Sequence, residues 1–141
     1  MALQVGDILF DPNFVFPDGQ TKGKLLIILA RSLANDYIVA RTTSNPQRKS
    51  FTYGCHNDEP DPNFSIPQTI GAFPKDTWVS LDYLLNLDDL QLEAAVAAGR
   101  ISQKGVLPTN ILKDVMNCAS GAEDIDGRQA TAIKDALAQI P

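Results

Sequence analysis

The chain changes character near residue 83, and this change limits the folds that it can adopt. Residues 1–83 contain seven of the nine prolines and every aromatic side chain of the 141-residue sequence. Short apolar and β-branched runs lie between these prolines, a pattern that predicts antiparallel strands joined by turns. The expected strands are 5–10, 24–31, 37–43, 50–55, 68–73 and 77–81. The continuous apolar run 25–30 predicts a central strand with both faces covered.

From residue 84 onward the apolar spacing becomes helical. Leucines in 87–96 predict a short helix that stops at Gly99. Thr109 is expected to cap a second helix, and Gly121 to end it in a left-handed conformation. Residues 122–139 predict a last amphipathic helix. The expected class is therefore α+β: a small antiparallel barrel or sandwich at 1–83 and a helical extension at 84–141, packed as one domain.

Charge and cysteine content exclude several classes of protein. The net charge of −5 has the wrong sign for a protein that coats nucleic acid, although it leaves room for a local basic groove. No apolar run is long enough to span a membrane, and the first residues lack the pattern of a signal peptide. Cys55 and Cys118 are widely spaced, which fits a reducing cytosol and predicts no disulfide.

Two polar segments are candidates for a binding site. The first is a long loop expected at 11–23, in which Phe14 and Phe16 either stack on a base or pack inward, and Lys22 follows them. The second is the end of the third strand. Alternation places Arg41 and Thr43 on one face of this strand and Thr42 and Ser44 on the other. These groups either bind a phosphate or simply lead a polar strand end into a turn.

The segment that begins at Cys55 holds the only histidine, His56. Adjacent residues of a strand point to opposite faces, so a Cys55–His56 catalytic dyad has poor geometry. The carboxylates that follow His56 could bind a divalent cation, but carboxylates in a proline-rich loop are usually solvated, and we expect no metal and no cofactor. Trp78 is expected to anchor the core.

The pattern as a whole resembles the PemK/MazF-like toxin family over roughly residues 3–115. The matching motifs are Gly6-Asp7-Ile8-Leu9-Phe10, the strand 25–29, Val39-Ala40-Arg41-Thr42-Thr43-Ser44 and Trp78-Val79-Ser80-Leu81-Asp82. The resemblance implies an SH3-like barrel with helical additions and a cytoplasmic homodimer. It also implies metal-independent, sequence-selective cleavage of single-stranded RNA, and a cognate antitoxin protein that competes for the same groove.

The resemblance also implies roles for individual residues. Lys24 falls where the family has an arginine that is usually followed by proline, and Thr42 falls on the catalytic threonine or serine. The implied catalytic residues are Lys24, Thr42 and Ser44; the implied substrate-binding residues are Phe14, Phe16, Lys22, Arg41 and Thr43. Lysine lacks the planar donor fork of arginine. The missing Arg-Pro pair and the acidity of the chain favour an alternative function, a non-catalytic barrel that binds a protein partner. A third possible function is a cysteine enzyme that uses Cys55 and His56.

Overall fold

The computed structural model describes residues 3–141, and these residues form the expected α+β fold. Met1 and Ala2, where the prediction about a signal peptide begins, lie outside the described residues. The described part contains eight strands and three α-helices. The strands are β1 (Asp7–Val15), β2 (Thr21–Arg31), β3 (Asp36–Thr43), β4 (Gly54–His56), β5 (Asn63–Ile66), β6 (Thr77–Ser80), β7 (Leu85–Asp88) and β8 (Ser102–Val106). The helices are α1 (Asp89–Ala97), α2 (Thr109–Ser120) and α3 (Gly127–Ala138).

The strands form one antiparallel sheet in the order β4-β5-β6-β3-β2-β1-β8, with β7 also paired to β3. One edge of β3 pairs with two different strands. Its first half pairs with β7, and Thr42 and Thr43 at its end pair with β6. Within the described residues β4 and β8 lie at opposite ends of this order and do not pair. The sheet is therefore open and does not close into the expected barrel.

β2 is a central strand, as its apolar run predicts. Leu26 and Ile28 pack into one core and Ile27 and Leu29 into another, and all four side chains are buried. Alternation along a strand sends successive side chains to opposite faces, so a continuous apolar run requires cover on both sides. The helices α2 and α3 cover one face, and α1 contributes to the core on the other.

The expected loop at 11–23 is much shorter in the structure. β1 continues to Val15 and β2 begins at Thr21, so only residues 16–20 connect them. The register between the two strands shifts after Asp11 and resumes at Phe14. This bulge accommodates Pro12, which has no N–H to give to a regular ladder.

Several other expectations were wrong in detail. The strand expected at 68–73 is a short 3-10 turn, Gln68–Ile70, and the strand expected at 50–55 is reduced to β4 at Gly54–His56. The extension at 84–141 is not only helical, since β7 and β8 join the same sheet. Gly121 does end α2, but at φ −102° it is not left-handed. Thr109 is the first residue of α2 and not its cap, a position that Pro108 takes without a side-chain hydrogen bond. The buried Trp78, which is 1% exposed, and the presence of all three helices were predicted correctly.

The expectation of two free cysteines was also wrong. Cys55 and Cys118 form a disulfide across 63 residues of sequence. Cys55 lies on β4 and Cys118 on α2, so the bond ties the edge of the sheet to the helical layer. Sequence separation carries no information about this proximity, because the packing of α2 against β4 creates it. In residues 3–141 no helix combines the length and apolar character needed to cross a membrane.

Candidate functional site

Four cationic side chains lie close together near the beginning of β2 and the end of β3, where the two antiparallel strands reach the same end of the sheet. Lys22 and Lys24 lie on β2, Arg41 lies on β3, and Lys49 follows in the next loop. We call these four residues the basic cluster. Each of the other three acts electrostatically on Lys24. A concentration of positive charge on a chain with a net charge of −5 marks this region as a candidate anion site.

Lys24 is the half-buried centre of the basic cluster. Its Nζ donates a hydrogen bond to the Thr42 carbonyl at 2.9 Å, and it lies 5.5 Å from the centre of the Phe16 ring. Burial lowers the pKa of Lys24 below its ordinary value, and the charges of Lys22, Arg41 and Lys49 lower it further. An amine that is short of water and surrounded by like charge gains from a bound anion.

Arg41 is held by two consecutive residues that follow β6. Its Nη2 donates to Asp82 Oδ1 at 2.5 Å, and its guanidinium lies 3.7 Å from the centre of the Tyr83 ring. The Arg41 side chain is only 13% exposed, and its Nε is buried without a hydrogen-bond partner. Arg41 shares a face with Lys24, because the register pairs Leu26 with Arg41 and Lys24 lies two residues from Leu26 on the same strand.

Thr42 lies on the face opposite to Lys24 and Arg41. Its hydroxyl donates to the Leu25 carbonyl at 2.8 Å, and the residue is 4% exposed. The contact between Lys24 and Thr42 therefore involves the Thr42 carbonyl and not the hydroxyl that the resemblance implies. Ser44 is exposed beyond the end of β3, and Thr43 Oγ1 accepts a hydrogen bond from the Asn45 N–H.

Aromatic side chains flank the basic cluster on the β1–β2 hairpin. The rings of Phe14 and Phe16 meet edge to face with centres 5.3 Å apart. An open groove of about 500 Å³ runs along this hairpin beside Lys24 and is lined by Phe16, Pro17, Asp18, Gln20, Thr21 and Lys22. The structure thus brings the two predicted phenylalanines and the two predicted lysines together at one end of the sheet.

Sequence reasoning missed four residues of this site: Asp11, Lys49, Asp82 and Tyr83. Asp11 pairs directly with Lys24 across the two strands, so their side chains share a face. The short hairpin creates this pairing, whereas the expected long loop had left Asp11 outside the sheet. Asp82 and Tyr83 reach Arg41 from the connection between β6 and β7. The alternation of Lys22 with Lys24 along β2 was the one signal of this site visible in the sequence.

The segment around His56 does not form a second catalytic site. Cys55 is bonded to Cys118, so its sulfur is not available as a nucleophile, and the His56 ring contacts the Thr52 carbonyl at 2.7 Å. In the part of the chain that the structure describes, no group of three or more histidine, cysteine or acidic side chains is arranged to hold a metal ion. A cysteine enzyme at this position is excluded as long as the disulfide is formed.

Comparison with protein-family models and with curated proteins finds no match to this chain. The basic cluster and the groove beside it are therefore the features of this chain that point to a function.

Proposed function

We propose that the chain binds single-stranded RNA at the basic cluster and cleaves it without a metal ion, as a PemK/MazF-like endoribonuclease. The observation that carries this proposal is the basic cluster around Lys24, together with the groove that Phe16 and Lys22 line on the adjoining hairpin. Cations bind the phosphate backbone, and aromatic rings stack on unpaired bases. Phe16 lines the groove and is assigned this stacking role, whereas Phe14 packs inward against the second core. The half-buried Lys24, with its lowered pKa, is the group best placed to hold a phosphate.

The proposed reaction is a transfer within the RNA. The 2′-hydroxyl oxygen attacks the adjacent phosphorus, a bond forms between them, and the bond from phosphorus to the 5′-oxygen breaks. The 2′-hydroxyl loses a proton and the departing 5′-oxygen gains one. The products are a 2′,3′-cyclic phosphate and a free 5′-hydroxyl, and the negative charge on the phosphate oxygens is stabilised by nearby cations.

Individual residues supply the groups that this reaction needs. Lys24 stabilises the phosphate and donates the proton to the leaving oxygen, a role that a lowered pKa favours. Asp11, directly across from Lys24, accepts the proton of the 2′-hydroxyl. Ser44 and Thr43 contact the phosphate from the end of β3. We do not assign Thr42 a role in the chemistry, because its hydroxyl is buried and bonded to Leu25.

The same proposal includes the wider properties that the resemblance implies. They are a relation of this open sheet to the SH3-like barrel, a homodimer, a cytoplasmic location and an antitoxin protein as partner. The cytoplasmic location rests on the resemblance alone, because the Cys55–Cys118 disulfide removes the support that unpaired cysteines gave it. An antitoxin segment rich in acidic side chains would compete with RNA for the basic cluster, since carboxylates and phosphates bind the same cations.

The test compares Lys24→Ala with a matched control, Lys134→Ala. Lys134 is an exposed lysine on α3, in the layer that covers the other face of the sheet. A mixed-sequence RNA is incubated with each protein in excess chelator, and the fragment ends are analysed. We expect wild type and Lys134→Ala to release cyclic phosphate ends, and Lys24→Ala to be slower by about a hundredfold.

RNA in which the cleaved position carries a 2′-O-methyl group should remain intact, since the nucleophile is blocked. Cleavage by Lys24→Ala at the wild-type rate would overturn the assignment of the site. RNA that is bound but not cut would overturn the nuclease and leave a binding protein. A chain that neither binds nor cuts RNA would favour the barrel that binds a protein partner.

A further inference from the structure

Arg41 is the most constrained cation of the basic cluster. Asp82 holds one end of its guanidinium at 2.5 Å, and the Tyr83 ring lies 3.7 Å from the guanidinium carbon. This stacked distance is well inside the range in which an aromatic ring attracts a cation. By contrast, Lys22 is exposed on β2 and has more freedom in its side chain.

The Asp82–Tyr83 pair is itself fixed by its neighbours in sequence. Leu81 and Leu84 on either side of the pair are buried in the core, and the Leu81 N–H donates to the Pro62 carbonyl at 2.9 Å. Tyr83 is 36% exposed, so its ring is not part of the core. The Tyr83 ring therefore contacts the Arg41 guanidinium at the surface and does not fill the core.

We propose that Tyr83 is a positioning residue for Arg41, and that the Nη1–Nη2 end of the Arg41 guanidinium supplies the two donors that grip an RNA phosphate, since Nε is buried and Asp82 takes only one N–H of Nη2. This inference rests on the proposed function. Lysine offers only a point charge, whereas a phosphate is held in a defined orientation by the two parallel N–H groups of an arginine. Lys24 at the start of β2 cannot provide that fork, but Arg41 lies on the same face of the neighbouring strand.

The test uses two substitutions that leave the net charge unchanged. Tyr83→Phe keeps the ring beneath Arg41, and Tyr83→Leu removes it. Binding of a fluorescent single-stranded RNA is measured as a function of salt. We expect Tyr83→Phe to match wild type and Tyr83→Leu to bind about fivefold more weakly. The slope of log affinity against log salt should also fall by about 0.7 in Tyr83→Leu, the value for one phosphate contact.

A second arm repeats both substitutions with Arg41→Ala. If Tyr83 acts through Arg41, the Tyr83→Leu and Tyr83→Phe variants in the Arg41→Ala background should bind RNA with equal affinity. In that background there is no guanidinium left to position. Arg41→Lys, which keeps the charge but not the planar fork, should reproduce the loss seen in Tyr83→Leu. This variant tests the inference even if Tyr83→Leu does not fold, which thermal unfolding followed by circular dichroism will reveal.

The outcomes separate the inference from the proposed function. Weaker binding by Tyr83→Leu in both backgrounds, with an unchanged salt slope, would mean that Tyr83 stacks on a base and would overturn the positioning role. Equal binding by wild type and Tyr83→Leu would also overturn it. Failure of wild type to bind RNA at all, by contrast, would overturn the proposed function on which the inference rests.

Discussion

At the scale of single residues, Lys24 combines features that a surface lysine lacks. Its amine is half-buried, it donates to the Thr42 carbonyl, and three other cations act on it. Burial is the larger cause of its lowered pKa, and the neighbouring charges add to the effect. Charged Lys24 is therefore less favourable in the folded chain than in the unfolded chain, a cost that a bound phosphate can relieve.

This lowered pKa predicts the pH dependence of RNA binding. As the pH rises through the pKa of Lys24, below the ordinary lysine value of 10.5, the amine loses its charge and RNA binding should weaken. In Lys24→Arg the charge persists, because a guanidinium does not deprotonate in this range, so the decline should be absent. Fluorescence anisotropy across the alkaline range measures both. A parallel decline in the two proteins would show that another group is responsible.

At the scale of elements, the disulfide crosslinks β4 to α2, which also packs against this edge of the sheet. β4 contains only three residues and lies at the edge of the sheet, where, among residues 3–141, it pairs with β5 alone. Its further contacts with α2 include a hydrogen bond from the Tyr53 hydroxyl to Asp114 at 2.7 Å, just before the strand. Lys49 lies five residues before β4 in the loop that leads into this strand. The disulfide at Cys55 therefore also restrains the loop that contributes Lys49 to the basic cluster.

We predict that removal of this crosslink destabilises the fold substantially. A disulfide that closes a loop of 63 residues lowers the entropy of the unfolded chain, and the expected loss in the free energy of unfolding is about 4 kcal/mol. Urea unfolding of the oxidised protein is compared with and without a dithiol reductant. The double substitution Cys55→Ala with Cys118→Ala serves as the control, and the reductant should not change its midpoint. If the reductant also leaves the unfolding midpoint of the oxidised wild-type protein unchanged, the predicted stabilisation by the disulfide is contradicted.

At the scale of the whole molecule, a negative chain presents a locally positive end. The net charge of −5 keeps the remaining surface unattractive to phosphates, while the basic cluster concentrates four cations at the end of two adjacent strands. This arrangement favours binding of a short single-stranded segment over coating of a long nucleic acid, because only the phosphates that reach the basic cluster are neutralised.

The size of the basic cluster predicts a moderate salt dependence. If about three phosphates are neutralised, the affinity for single-stranded RNA should fall by about 20-fold between about 50 and 200 mM salt. Titrations at several salt concentrations measure this slope. A slope that corresponds to many more phosphates would place RNA on a larger surface than the basic cluster, and a flat response would argue against phosphate binding altogether.

The local pattern of apolar residues was sufficient to predict those strands and helices whose apolar spacing is regular over many residues. The apolar run of β2 predicted a strand covered on both faces, and the spacing from residue 84 onward predicted the helices. Short strands such as β5 and β8 were missed because three to five residues carry little periodic signal and are stabilised by pairing with a neighbour. The turn at Gln68–Ile70 was mistaken for a strand for the same reason.

The sequence by itself determined the α+β class, the central strand and the presence of Lys24 and Arg41 at the ends of adjacent strands. Only the tertiary structure decided that the sheet stays open, that Cys55 meets Cys118, that Thr42 points away from Lys24 and that Tyr83 lies against Arg41. The physical reason is that periodicity reports which side of an element is buried, whereas contacts between residues far apart in sequence depend on strand register and packing.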